Sequence, residues 1–273
     1  MVRPGPGGAG LAVSAVVTAY NSSGAAWQRG PARIYDRLAD MLADSCPLPL
    51  AGAYVLDLGA GTGAAARAAE RRGAHVVSVD IAMGMLNAHA PTRPPAVVGD
   101  ALALPFVSGS FDAVIAAFSL NHLTAPAIGL REASRVLRAG GGLVVGAFAA
   151  DAGHPVREAT DSAAPARGWV PPRWYEALRA DALPLLATVE RAEAAARAAG
   201  LFDVVVTKKR VPFPELAVAD LVAWRMGMAQ LAPFVATLAP AASDALAADA
   251  AARRADAPPL VRSVSVLSHR AAA

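Results

Sequence analysis

The stretch Val55 to Ala65 reads VLDLGAGTGAA, and Val76 to Asp80 follows with VVSVD. An apolar run carries one carboxylate, Asp57, and then breaks into three glycines, Gly59, Gly61 and Gly63. A strand, a glycine turn and a helix bring backbone N–H groups and a helix N-terminus beside a ligand. Spacing decides which ligand. The loop that cradles nucleoside triphosphates needs GxxxxGK followed by Ser or Thr, and no lysine follows these glycines. The dinucleotide fingerprint needs a third glycine where Ala64 stands. Asp57, two residues before Gly59, would also approach the anionic pyrophosphate, whereas a cationic ligand has the opposite preference.

Outward from this stretch, short apolar strands alternate with helices. YVLDL, HVVSV and AVV read as the first three strands, and FDAVIAAFSL as the fourth. PAIGLREASRVLRAG reads as a helix with Pro126 in its first turn and Gly140 as its stop. LVVGAFA is the fifth strand, LFDVVVTKK the sixth and LVRSVSVLSHR the last. Continuously apolar strands between helices predict a doubly wound α/β fold, Rossmann-like, with a mostly parallel sheet covered on both faces. PARIYDRLADMLADS, ahead of the first strand, has Ile34, Leu38, Met41 and Leu42 on one helical face.

Composition narrows the options. The chain has 273 residues, 55% of them hydrophobic, which argues against disorder. Lys and Arg number 25 against 22 acidic residues, with scattered clusters, and this excludes a broad nucleic-acid footprint. Cys46 is the single cysteine, so neither an intrachain disulfide nor a Cys-based metal site is expected. The first 30 residues read as an extension, glycine- and proline-rich at its start. Its apolar run resembles a leader peptide but is interrupted by Ser14 and Thr18, so a cytoplasmic protein is expected. Insertions near residues 151–186 and 212–258 flank the late strands and read as lids over one sheet edge.

The pattern hhDhGxGxG, with h apolar, resembles motif I of the class I S-adenosylmethionine-dependent methyltransferases, and the likeness continues in order. Asp80 matches the acidic tip of the second strand. VVGDALALPFVSGSFDAVIAAFSLNHL matches the third and fourth strands, and REASRVLRAGGGLVVGAF the helix and strand that follow. This is similar to the ubiquinone/menaquinone-biosynthesis type of small-molecule methyltransferase, over roughly residues 30 to 150. The resemblance implies S-adenosyl-L-methionine as cofactor, with Asp80 and its neighbour Ile81 at the ribose. Asp100, Ala101 and Leu102 would meet the adenine, and Asp57 the methionine ammonium. Gly59, Ala60, Gly61 and Gly63 would form the close backbone wall. Asp112 is expected to support the sheet.

After the fourth strand, Ala117, Phe118, Ser119, Leu120, Asn121 and His122 would line the methyl side. His122 could orient or deprotonate an acceptor, or equally bond at a helix start or stack on the cofactor. His154 and Tyr175 are weaker candidates. Tyr20, Trp27 and Arg29 could meet the methionine carboxylate from the N-terminal segment. Trp169, Trp174, Trp224, Met226, Met228 and Phe234 predict a largely apolar lid with few charges, suited to an apolar or aromatic small-molecule acceptor. Methyl transfer from a sulfonium is an in-line displacement in which alignment and exclusion of water dominate. Two alternatives share these features: a cofactor-binding cyclase or isomerase that transfers no methyl, and a nicotinamide-dependent oxidoreductase. No metal site, nucleic acid or membrane is called for.

Overall fold

The computed structural model describes residues 15–88, 91 and 93–272. The glycine- and proline-rich opening and the leader-like run up to residue 14 lie outside them, as does the end of the expected MGMLNAHA helix. Residues 15–20 are helical, followed by α1 (Gly24–Arg29) and α2 (Ala32–Ala43). Then come β1 (Tyr54–Leu58), α3 (Ala64–Glu70), β2 (His75–Asp80), α4 (Met83–Asn87), β3 (Ala96–Val98) and β4 (Phe111–Ala117). A short 3-10 turn, Leu120–His122, leads to α5 (Pro126–Arg135) and β5 (Leu137–Phe148). The later chain forms α6 (Pro155–Ala163), α7 (Arg173–Ala177), α8 (Val189–Ala198) and β6 (Val205–Phe213). It ends with α9 (Val218–Met226), α10 (Ala232–Val235), α11 (Pro240–Ala252) and β7 (Leu260–Arg270).

The seven strands form one sheet in the order β3-β2-β1-β4-β5-β7-β6. Strands β1 to β5 pair in parallel, while β7 runs antiparallel between β5 and β6. Side chains alternate across the sheet because successive Cβ atoms point to opposite faces. Val55, Ile115 and Val144 face α2 and α3, whereas Leu56, Val114 and Leu143 face α5 and α8. Both sheet faces are therefore covered, which a near-continuous apolar strand requires. The chain runs from β1 outward to β2 and β3 on one side and then to β4 on the other, so the strand order reverses at β1. The crevice of this topological switch point lies at the strands' C-terminal ends, where Asp57 and Asp80 stand. In open α/β sheets this switch point is where ligands bind.

Three boundaries differ from those expected. Helix α5 stops at Arg135, and Gly140 lies inside β5 at φ 72°, where the strand bulges against β4 between its pairings at Leu137 and Gly142. Strand β4 ends at Ala117 because Phe118 takes φ 61°, a left-handed conformation that no strand continues through. Strand β6 begins at Val205 rather than Leu201; Asp203, at φ 58°, turns the chain into it.

Candidate active site

The glycine turn after β1 is stitched to β2. The N–H groups of Gly59 and Ala60 both donate to the Val79 carbonyl, at 2.8 and 3.0 Å. Gly59, Gly61 and Gly63 take φ values of 70°, 55° and 84°, where a side chain is strained. At Gly59 space matters as well. A Cβ there would stand 2.2 Å from the Ser119 Cβ, and the Ser119 hydroxyl donates to the Leu58 carbonyl at 2.6 Å. The turn and the segment after β4 thus interlock.

Two carboxylates edge the turn. Asp57 is buried, with Oδ2 accepting the Ala66 N–H at 2.9 Å and Oδ1 without a partner among the described residues. Burial pushes its carboxyl up to about 7. Asp80 accepts the Gly61 N–H on Oδ2 at 2.7 Å and the Ala82 N–H on Oδ1 at 2.8 Å. Burial raises its carboxyl too, against these bonds, and each oxygen retains a lone pair for a further donor. Ile81, 39% exposed, stands beside it as apolar surface. Asp100 is exposed and closes its own turn, with Oδ1 accepting the Leu102 N–H at 2.8 Å and Ala101 half-buried between them.

The N-terminal segment crosses over this edge. Asn21 Oδ1 accepts the Gly84 N–H at 2.7 Å, and a Cβ on Gly84 would lie 2.1 Å from the Asn21 carbonyl oxygen. One residue earlier, the Tyr20 hydroxyl lies 3.4 Å from His122 Nδ1, with the rings 5.7 Å apart. The segment therefore spans from α4, beyond β2, to the turn beyond β4. Trp27 is buried against Tyr35, Ala82 and Met85 as the wall of this crossing.

The remaining expected residues are placed as follows. Arg29 is exposed and shares a surface dimple with Leu216 and Ala223, on the α9 side of α1, so it does not reach the carboxylates. The Phe118 ring turns into the core, stacked on Phe148 at 4.4 Å and edge-on to Tyr35, because its left-handed backbone aims the side chain inward. Ala117 is half-buried, and Asn121 is buried with Oδ1 unpartnered among the described residues. His122 is half-buried, and burial pushes its imidazole down to about 4, so the ring is neutral at pH 7. His154 caps α6: Nδ1 accepts the Val156 N–H, and Nε2 lies 3.0 Å from the Pro258 carbonyl. Asp112 accepts from the Tyr54 N–H and from Arg138, a sheet-supporting role.

The two insertions are less apolar than their sequence suggests. Arg225 of α9 is 3% exposed and forks onto Asp161 of α6 at 2.6 and 2.8 Å. It also donates to the Tyr175 hydroxyl at 3.1 Å, which Arg157 approaches at 3.3 Å. Arg262 of β7 is equally buried, with Cζ 3.9 Å from the Phe148 ring centroid and 5.2 Å from that of Trp224. The tryptophans and Phe234 behave as expected in part: Trp169, Trp174 and Phe234 border a hollow of about 400 Å³ against residues Ala15, Thr18 and Ala19.

Comparison with known proteins agrees with this geometry. The family described as a methyltransferase domain matches residues 56–145. A demethylmenaquinone methyltransferase of Corynebacterium kroppenstedtii is 43% identical over 100 residues, 37% of this chain and 44% of that protein. The match thus spans less than half the length of this curated relative. Among solved structures, Haemonchus contortus phosphoethanolamine N-methyltransferase 2, in complex with S-adenosyl-L-methionine, superposes with a TM-score of 0.54 at 20% identity, covering 87% of this chain and 53% of that one. The cyclase SpnF superposes at 0.51 and 21%, covering 87% and 81%. Residues 56–145, the strands and turns that carry the two carboxylates, are thus the part of the chain similar to a methyltransferase domain, and the solved structures share its fold.

Proposed function

We propose that this protein binds S-adenosyl-L-methionine at the crevice and transfers its methyl group to a small-molecule acceptor under the lid. One observation carries the reading: the buried Asp57 carboxylate, with Oδ1 unpartnered among the described residues, stands beside Asp80 at the end of a glycine turn. Two carboxyl groups, neither in an ion pair among the described residues although Arg67 lies within electrostatic reach of Asp57, favour a cationic, phosphate-free nucleoside. In these roles Asp57 takes the ammonium and Asp80 adds the ribose hydroxyls to its two backbone bonds, as charge-assisted bonds. Ile81, Asp100, Ala101 and Leu102 would border the base. When bound, the cofactor supplies a methyl on a sulfonium, already an activated leaving group.

The chain's own residues then align and exclude water. The Tyr20–His122 contact lies over the end of β4, where the acceptor would approach. A neutral imidazole with so low a proton affinity orients an acceptor better than it deprotonates one. The relatives named demethylmenaquinone methyltransferase support a ring-bearing acceptor, and the hollow bordered by Trp169, Trp174 and Phe234 offers aromatic walls for one. Insertions near 151–186 and 212–258 serve as the lid in this reading.

Isothermal titration with S-adenosylmethionine and S-adenosylhomocysteine is expected to show binding of both. Absence of either would end the reading. Because a cyclase shares the fold, release of labelled methyl into an extract-derived acceptor separates transfer from mere cofactor binding.

A further inference from the structure

Three guanidiniums, Arg157, Arg225 and Arg262, converge beneath the lid, and among the described residues a single carboxylate, Asp161, answers them. Asp161 is committed to Arg225 in a two-pronged pair. Arg262 is 3% exposed, donates from one arm to the Ala152 carbonyl, and leaves its buried Nε–H without a partner. Arg157 has only the Tyr175 hydroxyl among the described side chains. Taking a guanidinium out of water costs several kcal/mol unless it is paired and hydrogen-bonded. The faces of Phe148 and Trp224 offset part of that for Arg262. Burial lowers its proton affinity only to about 10, so it keeps its charge at neutral pH. The lid core therefore holds a positive charge that the protein itself leaves uncompensated.

The cluster adjoins the site described above along two paths. Arg262 lies on Phe148, which stacks on Phe118, the residue that ends β4. Tyr175, on which Arg157 and Arg225 meet, neighbours Trp174, whose ring is 6.5 Å from Tyr20 and borders the 400 Å³ hollow. The guanidiniums do not themselves line that hollow; Trp174, on its border, and Tyr175, bonded to Arg157 and Arg225, link the two.

We propose that Arg157 and Arg262, with the Tyr175 hydroxyl, form a recognition site for a carboxylate carried by an aromatic methyl acceptor. A guanidinium presents N–H donors in a planar fork that matches a carboxylate's two oxygens, and the ring faces beside it suit an aromatic body. This rests on the methyltransferase reading for its purpose, but the anion site itself is independent of it. It also refines the expectation of an apolar acceptor: the body is apolar, the end is charged.

The test titrates the full chain, saturated with S-adenosylhomocysteine, with 2-naphthoate and separately with its neutral amide, 2-naphthamide, following tryptophan fluorescence. The acid is expected to bind at least about tenfold more tightly than the amide. Arg262→Gln and Arg157→Gln are each expected to cut that preference to about threefold or less, with S-adenosylhomocysteine affinity unchanged. If Arg262→Gln fails to fold, half-buried Arg157 decides the matter alone. Equal affinity for acid and amide, no binding of the acid, or a preference that survives the Arg157 substitution overturns the proposal. Failure of S-adenosylhomocysteine to bind would instead strike the methyltransferase reading, and the same acid-against-amide comparison without it would still judge the arginines.

Discussion

At Asp57 a single buried carboxyl ties folding to protonation and, in the proposed reading, to the cofactor. Burial raises its carboxyl from 3.8 to about 7. Between about pH 4 and 7 the folded chain therefore holds a proton that the unfolded chain has released, so stability declines as pH rises through that window and levels above it. A cationic ligand favours the ionised form. S-adenosylmethionine affinity is accordingly expected to rise about tenfold from pH 5.5 to 7 and to be nearly flat in Asp57→Asn, as titrations at several pH values would show. The signal for this residue was legible: an acid inside an apolar strand two places before a glycine needs a reason. Phe118 was not legible, because nothing local in the sequence announces a left-handed φ at a bulky residue, and its ring partners Phe148 and Tyr35 lie 30 and 83 residues away. Arg29 was offered with Tyr20 and Trp27 by resemblance alone, and the sequence did not show that it faces solvent on the α9 side of α1.

Among the elements, α6 and α9 are joined by Arg225 and Asp161. Removing the acid leaves a buried cation with only the Tyr175 hydroxyl. Asp161→Ala is expected to cost about 3 kcal/mol in urea denaturation, and adding Arg225→Met to recover most of it, because breaking one partner of a buried pair is worse than replacing both. If the single substitution is silent, the pair contributes nothing. Strands and helices from β1 to β5 were readable from periodicity, since each carries its own apolar face. The arginine cluster was not, because its members come from α6, α9 and β7 and meet only after folding. One cue was nevertheless present. Leu260, Arg262, Val264 and Val266 share a face by strand alternation, and three are fully apolar. A charge in such a row points to a partner or a ligand.

For the molecule as a whole, the N-terminal crossing from Gly84 to His122 lies over the proposed site and is expected to govern ligand exchange there. Asn21→Ala removes the acceptor for the Gly84 N–H, a net loss of about 1 kcal/mol at most for a part-exposed bond. It is expected to leave thermal stability nearly unchanged but to speed S-adenosylhomocysteine dissociation several-fold, measured by stopped-flow fluorescence. An unaltered off-rate would show that the crossing does not hold the ligand. None of the described helices is long and apolar enough to cross a membrane. The antiparallel β7 adds a last consequence. Because that strand enters the sheet from the opposite direction, Arg262 near its beginning comes level with the finishing ends of its parallel neighbours. The upper rim is thus assembled from two separate stretches of chain, β1 to β4 and the start of β7. In the proposed reading the first would hold the nucleoside and the second would select its customer, so substitutions in the second are expected to change acceptor choice with cofactor affinity intact.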